Sequence, residues 1–597
     1  MKFSQLAVFI EKIEQTSSRL EITKLLSELF NRLSKEEFDK TVYLLQGRVR
    51  PQYEPEEFGM GEKNVIRSVS LALHLERKFF ETEFKKIGDL GLTVEHFKKQ
   101  FSSFEQKDAS IIEVYETLSA LAKKSGLGSQ ESKSNLLGQL IRELDPLSCR
   151  YIVRIPVGAL RLGFSDMTVL DAYSWMLTND KTLRPIIEKA YHVRPDLGFI
   201  GAQLRAKGKK GLQNIHPEIF TPIIMMRAER LSSGKEIVEK IGKSAVEPKY
   251  DGFRLQAHYR KTREGGEVRL YSRNLEEVSF MYPDVVEGFK KQMRAKEAIV
   301  EGEAIGYDAK RDSFLPFQET SQRKRKYDIE EKAKEIPLKF FTFELLYKDG
   351  KDFINEQFTI RRKTLVGSIH TTGRVTEDTI LVATETLTED PNEVEKIFTD
   401  ALAEGLEGIL AKKLHGIYQP GARGWNWIKL KKSYSSKIDD TIDVVVFGYD
   451  YGKGKRTGFG IGAFLVGVYD PQQDKYVTIA KIGTGLTDDE WRELKKRGDK
   501  FKINKKPNVY EVDKAMGVDV WINPSIVVEI RADEITRSAV HTAGRTLKKT
   551  KSGSALEVDI SGYALRFPRL ERFRDDKKAE DATSLQEIKK FYQSQKK

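Results

Sequence analysis

A change of hydrophobic rhythm near residue 207 constrains this chain more than any other feature. Before it, apolar residues recur at helical spacing, as in Leu20, Leu25, Leu26, Leu29, Phe30 and Leu33, and Ser34 with Glu37 forms a capping box for the next helix. Little strand signal precedes Lys207. The polar, glycine-punctuated stretch Lys207-Gly208-Lys209-Lys210-Gly211 reads as a linker. Beyond it, short β-branched and aromatic runs appear at 254–259, 268–271, 298–300, 339–343 and 408–411, with helical stretches between them. A second boundary falls near Lys432-Ser433-Tyr434-Ser435-Ser436-Lys437, after which 443–449, 463–469, 476–481 and 525–531 read as strands. Strands of this length with glycine-rich turns suggest a small β-barrel, and the tail 581–597 reads as a polar helix. The expected organisation is multidomain: an all-α domain over 1–215, an α/β (α+β) domain over 216–432 and a β-barrel with a helical tail over 433–597.

Lys+Arg total 102 against 89 Asp+Glu, a net charge of +13, which fits a polyanionic partner such as nucleic acid. The single cysteine, Cys149, excludes an intrachain disulfide and a multi-cysteine zinc module, and its apolar neighbours mark it as a core thiol. The eight histidines show no metal-ligand spacing. A metal used here is therefore expected to be magnesium held by carboxylates and phosphate. With no apolar run long enough to span a bilayer and no signal segment, the chain is expected to be soluble and intracellular.

The chemistry centres on Glu247-Pro248-Lys249-Tyr250-Asp251-Gly252-Phe253-Arg254. This is the form expected when a lysine nitrogen is the nucleophile that takes a nucleotide onto its side chain. A free lysine, with a pKa near ~10.4, is almost wholly ammonium at neutral pH, so a nucleophilic one needs cations or burial beside it. Arg254 is one such cation. Asp251-Gly252 reads as a tight turn in which glycine lets backbone approach a ligand closely. The competing reading is a surface lysine beside a hairpin turn.

Downstream come Glu301-Gly302-Glu303 at an expected strand end, Phe343-Glu344 followed by Leu345-Leu346-Tyr347, Glu407-Gly408 through Lys412, and Trp427 through Lys431. Lys429 and Lys431 lie two apart in a strand, so they share a face and suit phosphate. Glu303 and Glu407 are the candidates for holding magnesium, although either alone reads as a surface carboxylate. Arg574-Asp575-Asp576-Lys577, after Arg566-Phe567-Pro568-Arg569, is a charged cluster that suits a triphosphate or a DNA phosphate. Ile241-Gly242-Lys243-Ser244 looks like a P-loop tail, but Ile237 stands where that motif needs glycine.

Taken in order, six blocks (Lys249 to Gly252, Glu301 to Glu303, Phe343 to Tyr347, Glu407 to Lys412, Trp427 to Lys431 and Arg574 to Lys577) resemble the covalent nucleotidyltransferase superfamily. Over essentially its whole length the chain is similar to ATP-dependent DNA ligases of archaeal and eukaryotic-nuclear type. The resemblance implies a helical DNA-binding domain, an adenylation domain and an OB-fold that wrap a nicked duplex. It makes Lys249 the adenylated lysine and places Glu247 on the adenine amine, where an ionised carboxylate accepts adenine's donor and rejects guanine's carbonyl. Phe343 resembles the residue that stacks on the base. Arg254, Arg273, Glu303, Arg423 and Lys429 resemble nucleotide contacts, and Lys412 and Lys431 match phosphate-facing positions. Arg574, Asp576 and Lys577 would orient pyrophosphate, and Arg161 resembles a DNA-backbone contact. The implied reaction runs through a lysine adenylate and a DNA adenylate to a sealed nick, with ATP as cosubstrate and Mg2+ or another divalent ion, in replication, repair and recombination.

Two rivals remain beside this resemblance: an RNA ligase or capping enzyme of the same superfamily, and a DNA-binding scaffold without activity. Glu247, the helical domain and the match through Lys577 disfavour the first, and no catalytic position is lost as the second requires. Gln100-Phe101-Ser102-Ser103-Phe104 lies where related archaeal proteins carry a sliding-clamp motif, although Ser103 breaks its aromatic pair. A monomer in the cytoplasm, associated with the nucleoid, is expected, or in the nucleus if the source is eukaryotic.

Overall fold

The computed structural model describes residues 1–101, 106–126, 128–160, 162–431, 441–452, 458–549 and 556–595. Arg161, and 102–104 of the expected clamp motif, lie outside the described residues. The chain forms two compact units, Met1–Lys432 and Ser433–Lys597.

The first part of the larger unit is helical, running from Phe3–Gln15 to Leu197–Lys207. Its second helix, Arg19–Arg32, buries Ile22, Leu26, Leu29 and Phe30, which follow the helical repeat. Leu20 is 49% exposed, because it sits in the first turn on the outer side. Ser34 and Glu37 form the expected capping box. Cys149 is buried, and burial pushes its thiol up to about 12. The stretch expected to be a linker is instead a short 3-10 turn, Gly208–Leu212, folded onto the preceding helix. Leu212 is buried there, and a Cβ on Gly211 would meet the Gln203 carbonyl oxygen at 2.5 Å.

The chain then builds two sheets. Strands β1 (Arg227–Arg230), β2 (Ser244–Lys249), β3 (Phe253–Arg260), β4 (Glu267–Ser272), β5 (Glu297–Asp308), β6 (Ser313–Phe314), β7 (Leu338–Lys348), β8 (Lys351–Asp352), β9 (Ile380–Val382), β10 (Thr386–Thr388), β11 (Gly408–Lys413) and β12 (Arg423–Lys431) follow in order. One sheet runs β1-β12-β11-β2-β10 and the other β4-β3-β5-β7-β8, with β6 beside β5 and β9 beside β7. Apart from β1 with β12 and β7 with β9, all pairs are antiparallel, so this is an α+β arrangement. Val246, Ile409, Ala411 and Ile428 of the first sheet share a core with Ile299, Phe341 and Leu346 of the second. The second sheet buries its other residues, among them Leu255 and Val300, against Val285 and Phe289 of helix Pro283–Gln292. Gly242 ends helix Gly234–Ile241 just ahead of β2. A P-loop requires strand before helix, and the order here is reversed.

Glu301-Gly302-Glu303 lies in the middle of β5 and not at a strand end. The register against β7 shifts after Ile299 and again after Glu301, and a Cβ on Gly302 would meet the Phe340 ring at 2.4 Å. A glycine that reads as a terminator is here the space that an aromatic ring fills.

The smaller unit is sheet-rich. Its strands Ile442–Asp450, Ala463–Asp470, Lys475–Ile482 and Val527–Arg531 match the expected ones, and Ile442–Asp450 pairs with both Ala463–Asp470 and Val527–Arg531. Helix Asp488–Lys500 was not legible in the strand pattern; its capping box at Thr487 and Glu490 and its buried Trp491 and Leu494 account for it. The terminal helix Leu585–Ser594 is amphipathic and not wholly polar, since Leu585 and Ile588 enter the core. Among the described residues no helix is long and apolar enough to cross a membrane.

Candidate active site

Tyr250-Asp251-Gly252 carries the chain from the end of β2 in one sheet to the start of β3 in the other. Lys249 therefore sits at the mouth between the sheets. Gly252 packs against its own chain: a Cβ there would meet the Ala304 carbonyl oxygen on β5 at 2.1 Å. Gly252 thus permits a close approach to β5, which clamps the turn.

In the first sheet, Gly408 on β11 lies opposite Lys249 on β2 and opposite Lys431 on β12, so three strands form one row. Gly408 has φ +146°, and a Cβ would meet the Leu430 carbonyl oxygen at 2.2 Å. Only glycine lets β12 close on β11 here. Immediately before it, Glu407 donates its backbone N–H to the Lys249 carbonyl (3.0 Å), and its carboxylate is ion-paired with both Lys249 Nζ and Lys431 Nζ. All three side chains keep about a fifth of their surface exposed. The lysine amine must leave this carboxylate, or give up its proton, before it can attack.

One step further along, Glu247 is opposite Leu410, which is opposite Lys429. Glu247 is 1% exposed. Its Oε2 is 2.8 Å from Lys412 Nζ, which also donates to the Phe343 carbonyl at 2.6 Å. Its Oε1 is buried without a hydrogen-bond partner. Burial pushes the Glu247 carboxyl up, while Lys412 and Arg362 pull it back. Phe343 lies against Trp427, ring centroids 6.0 Å apart and edge-on, with Lys412 and Arg254 over its ring at 5.0 and 5.6 Å.

Arg254 donates through Nη2 to Glu301 Oε2 (2.7 Å) and through Nη1 to the Met226 carbonyl (2.7 Å). Glu301 Oε1 in turn receives Tyr418 Oη (2.9 Å) and Gln256 Nε2 (3.0 Å). Glu301 stands in the sequence only as part of its motif block, and Tyr418 is not singled out there at all. A carboxylate in a strand reads as surface, and nothing near Tyr418 in the chain points to residue 301. Glu344, next to Phe343, is fully engaged by Arg361, whose Nε and Nη2 reach its two oxygens at 2.7 and 2.9 Å.

Lys429 is pushed down to about 8, first by burial and then by Arg230, Lys249, Arg423 and Arg273. These cations make a wall suited to successive phosphates. Glu303 is pushed up by burial, against the pull of Lys249, Arg254 and Lys431. Glu303 and Glu407 thus border the same lysine pair. Among the described residues no group of three or more His, Cys, Asp or Glu gathers as a metal site. Two carboxylates beside a phosphate wall still fit magnesium, which keeps several waters and takes phosphate oxygen.

In the smaller unit, Arg574 is paired with Asp443 (3.0 Å) and Asp576 (2.8 Å), and Lys577 also reaches Asp443 (2.7 Å). Asp443 is a further residue that the sequence did not single out. Arg566 and Arg569 are paired with Glu534 and Asp533.

Comparison with known proteins completes the picture. Residues 225–431 match the ATP dependent DNA ligase domain, 2–174 the DNA ligase N terminus and 457–577 the ATP dependent DNA ligase C terminal region. The chain is 44% identical to a probable DNA ligase of Dictyoglomus thermophilum, covering 100% of this chain and 98% of that one. It is 40% identical to DNA ligase 2 of Thermofilum pendens, again over 100% of this chain and 98% of the relative. The solved structure named Pmar-Lig_Pre is similar in fold, with a TM-score of 0.52 at 17% identity over 95% of this chain and 99% of that chain.

Proposed function

The chain belongs to the ATP-dependent DNA ligase family, and from that premise we propose that it seals 5′-phosphate/3′-hydroxyl nicks in duplex DNA through an adenylated Lys249. One observation carries this proposal above the others. Glu247, two residues before Lys249 on β2, keeps one carboxylate oxygen buried and without a hydrogen-bond partner. A purine amine donated to Glu247 Oε1 would put the base against Phe343 and direct its phosphates toward Lys249, Lys429 and Lys431.

In the first step the Lys249 amine attacks the α-phosphorus; a P–N bond forms and pyrophosphate leaves. Glu407, already in contact with Nζ, is placed to take the departing proton. Lys431, Lys429, Arg273 and Arg423 stabilise the charge that develops on the phosphate, and Arg254 is held for the same nucleotide by Glu301. Glu303 and Glu407 would hold Mg2+, which supplies further neutralisation of phosphate charge when bound. The adenylate then passes to the 5′-phosphate of the nick, and the 3′-hydroxyl displaces AMP. Three domains are proposed, with 1–215 and an OB-fold over 433–597 gripping the duplex around 216–432, and Arg161 touching its backbone. Replication, repair and recombination are the processes that need this reaction, in the cytoplasm of a cell without a nucleus.

Supplying ATP and a divalent ion to a duplex with one 5′-phosphorylated nick should yield a sealed strand, whereas single-stranded RNA ends should not join. Joining of RNA ends in preference to the nick would refute the proposal. Arg574, Asp576 and Lys577 are assigned to pyrophosphate, so their alanine variants should lose self-adenylation more than sealing of a pre-adenylated nick. Equal losses in both assays would defeat that assignment.

A further inference from the structure

We propose that Arg362, on helix Phe358–Val366, is a positioning residue for base recognition: it supplies charge to Glu247 without occupying the carboxylate oxygen that reads the base. The inference rests on the reading above in which Glu247 receives the exocyclic amine.

Arg362 is 9% exposed, and its fork is held from behind. Nη2 donates to the Ala383 carbonyl, and Nε lies 3.4 Å from Glu385. Nη1 points at Glu247 Oε1 from 3.9 Å, and neither atom has a hydrogen-bond partner. That separation is too long for a hydrogen bond and short enough for strong Coulomb attraction in a buried setting. Two buried polar atoms that face each other at this distance leave the acceptor's lone pairs free for an incoming donor. The other Glu247 oxygen is already taken by Lys412. Lys412 alone would also have to offset Glu344, which faces the same space from β7 and pushes the other way. Arg361 occupies both Glu344 oxygens, so Arg362 is the second cation available to Glu247. Tyr250, just after β2, Glu385, ahead of β10, and Glu404, which acts on Tyr250, are the further titratable groups named around it.

Without Arg362, burial would favour the protonated carboxyl, which donates a hydrogen bond where an amine also donates. Discrimination would then turn toward a 6-oxo purine at low pH and return toward adenine as the pH rises and Glu247 ionises. Inosine triphosphate is the probe, because it differs from ATP at this edge. Full-length R362Q, E247Q and wild type would be compared in Lys249 adenylation with ATP and with inosine triphosphate from pH 5.5 to 8.5, with heat unfolding as the check on folding. R362Q should lose about tenfold in kcat/KM for ATP at pH 6, mostly through KM, and come within about twofold of wild type at pH 8.5, because its Glu247 is then protonated at the lower pH and ionised at the higher. Its relative use of inosine triphosphate should rise at pH 6. R362K, which keeps the charge, should restore the wild-type pH profile. A wild-type-like pH profile and base preference in R362Q would overturn the proposal. If E247Q retained its preference for ATP, the reading beneath it would fail instead, and the two failures are distinct.

Discussion

Replacing Gly408 by alanine is expected to stop lysine adenylation while leaving a folded protein. An alanine Cβ would stand 2.2 Å from the Leu430 carbonyl oxygen, about 0.8 Å inside the 3.0 Å that real Cβ atoms keep. It would also have to adopt φ +146°, which alanine avoids. Backbone strain and overpacking each cost about 1–3 kcal/mol, so a loss of ~2–5 kcal/mol in stability is expected. Relief requires β12 to move from β11 by close to the missing distance, carrying Lys431 away from Glu407 and Lys249. A misplacement of about 1 Å in a reacting constellation costs about 100-fold in rate. Gly405→Ala is the control, because Gly405 also has a positive φ (+80°) but open space around its Cβ. It should cost ~1–2 kcal/mol and leave adenylation unchanged. The assay is single-turnover labelling by ATP marked at the α-phosphate, beside urea unfolding of each variant. Labelling by Gly408→Ala within threefold of wild type would refute the claim that the row Lys249, Gly408, Lys431 sets the reacting geometry.

Three further outcomes follow from the same structure. Tyr418→Phe removes the hydroxyl that donates to Glu301 (2.9 Å) and accepts from the Met226 N–H (2.8 Å); it should cost about 1–3 kcal/mol and raise KM for ATP more than it lowers kcat, as read from steady-state kinetics. Arg361→Met strands the buried Glu344 and should cost about 3–5 kcal/mol at pH 7 by urea unfolding. Burial pushes the Glu344 carboxyl up but Arg361 more than offsets it, holding it below the usual carboxylate range, so the pair's stabilisation is full above about pH 4.5 and fades as the pH falls through the depressed value. The deficit of Arg361→Met should therefore shrink in acid, and a constant deficit would contradict this. Lys429 titrates near 8 in the free protein, so phosphate bound beside it should restore its proton, and ATP binding at pH 9 should take up about one proton. Calorimetry in two buffers of different ionisation heat would read this uptake, and Lys429→Met should abolish it.

The Lys249 motif and the order of the blocks that follow it were legible in the sequence because they depend on local spacing. Lys249, Lys429 and Lys431 fall where strand alternation puts them, and the structure joins their strands in one sheet. What was hidden depends on contacts between distant segments. Glu301 lies inside a motif block that the sequence displays, but only the fold shows Arg254, Gln256 and Tyr418 converging on it. Arg362 carries no motif mark in the sequence, yet its helix turns it toward Glu247, 115 positions earlier in the chain. The two register shifts in β5 against β7 carry no sequence mark beyond Gly302, so that motif was assigned to a strand end. In the smaller unit the paired strands were visible as β-branched runs, whereas Asp443, inside one of them, declares itself only through Arg574 and Lys577. Gly208–Leu212 is a folded turn and not a loose linker for a related reason, since a polar run with two glycines can still anchor one buried leucine.

The central claim is that the Lys249 nitrogen carries AMP between ATP and a DNA nick, and covalent labelling tests it most directly. Wild type incubated with ATP labelled on the α-phosphate should acquire a denaturation-resistant, acid-labile label that nicked DNA chases into AMP and sealed product. Lys249→Ala should acquire none. A label that persists in Lys249→Ala, or wild type that seals nicks with ATP and never becomes labelled, would contradict the account.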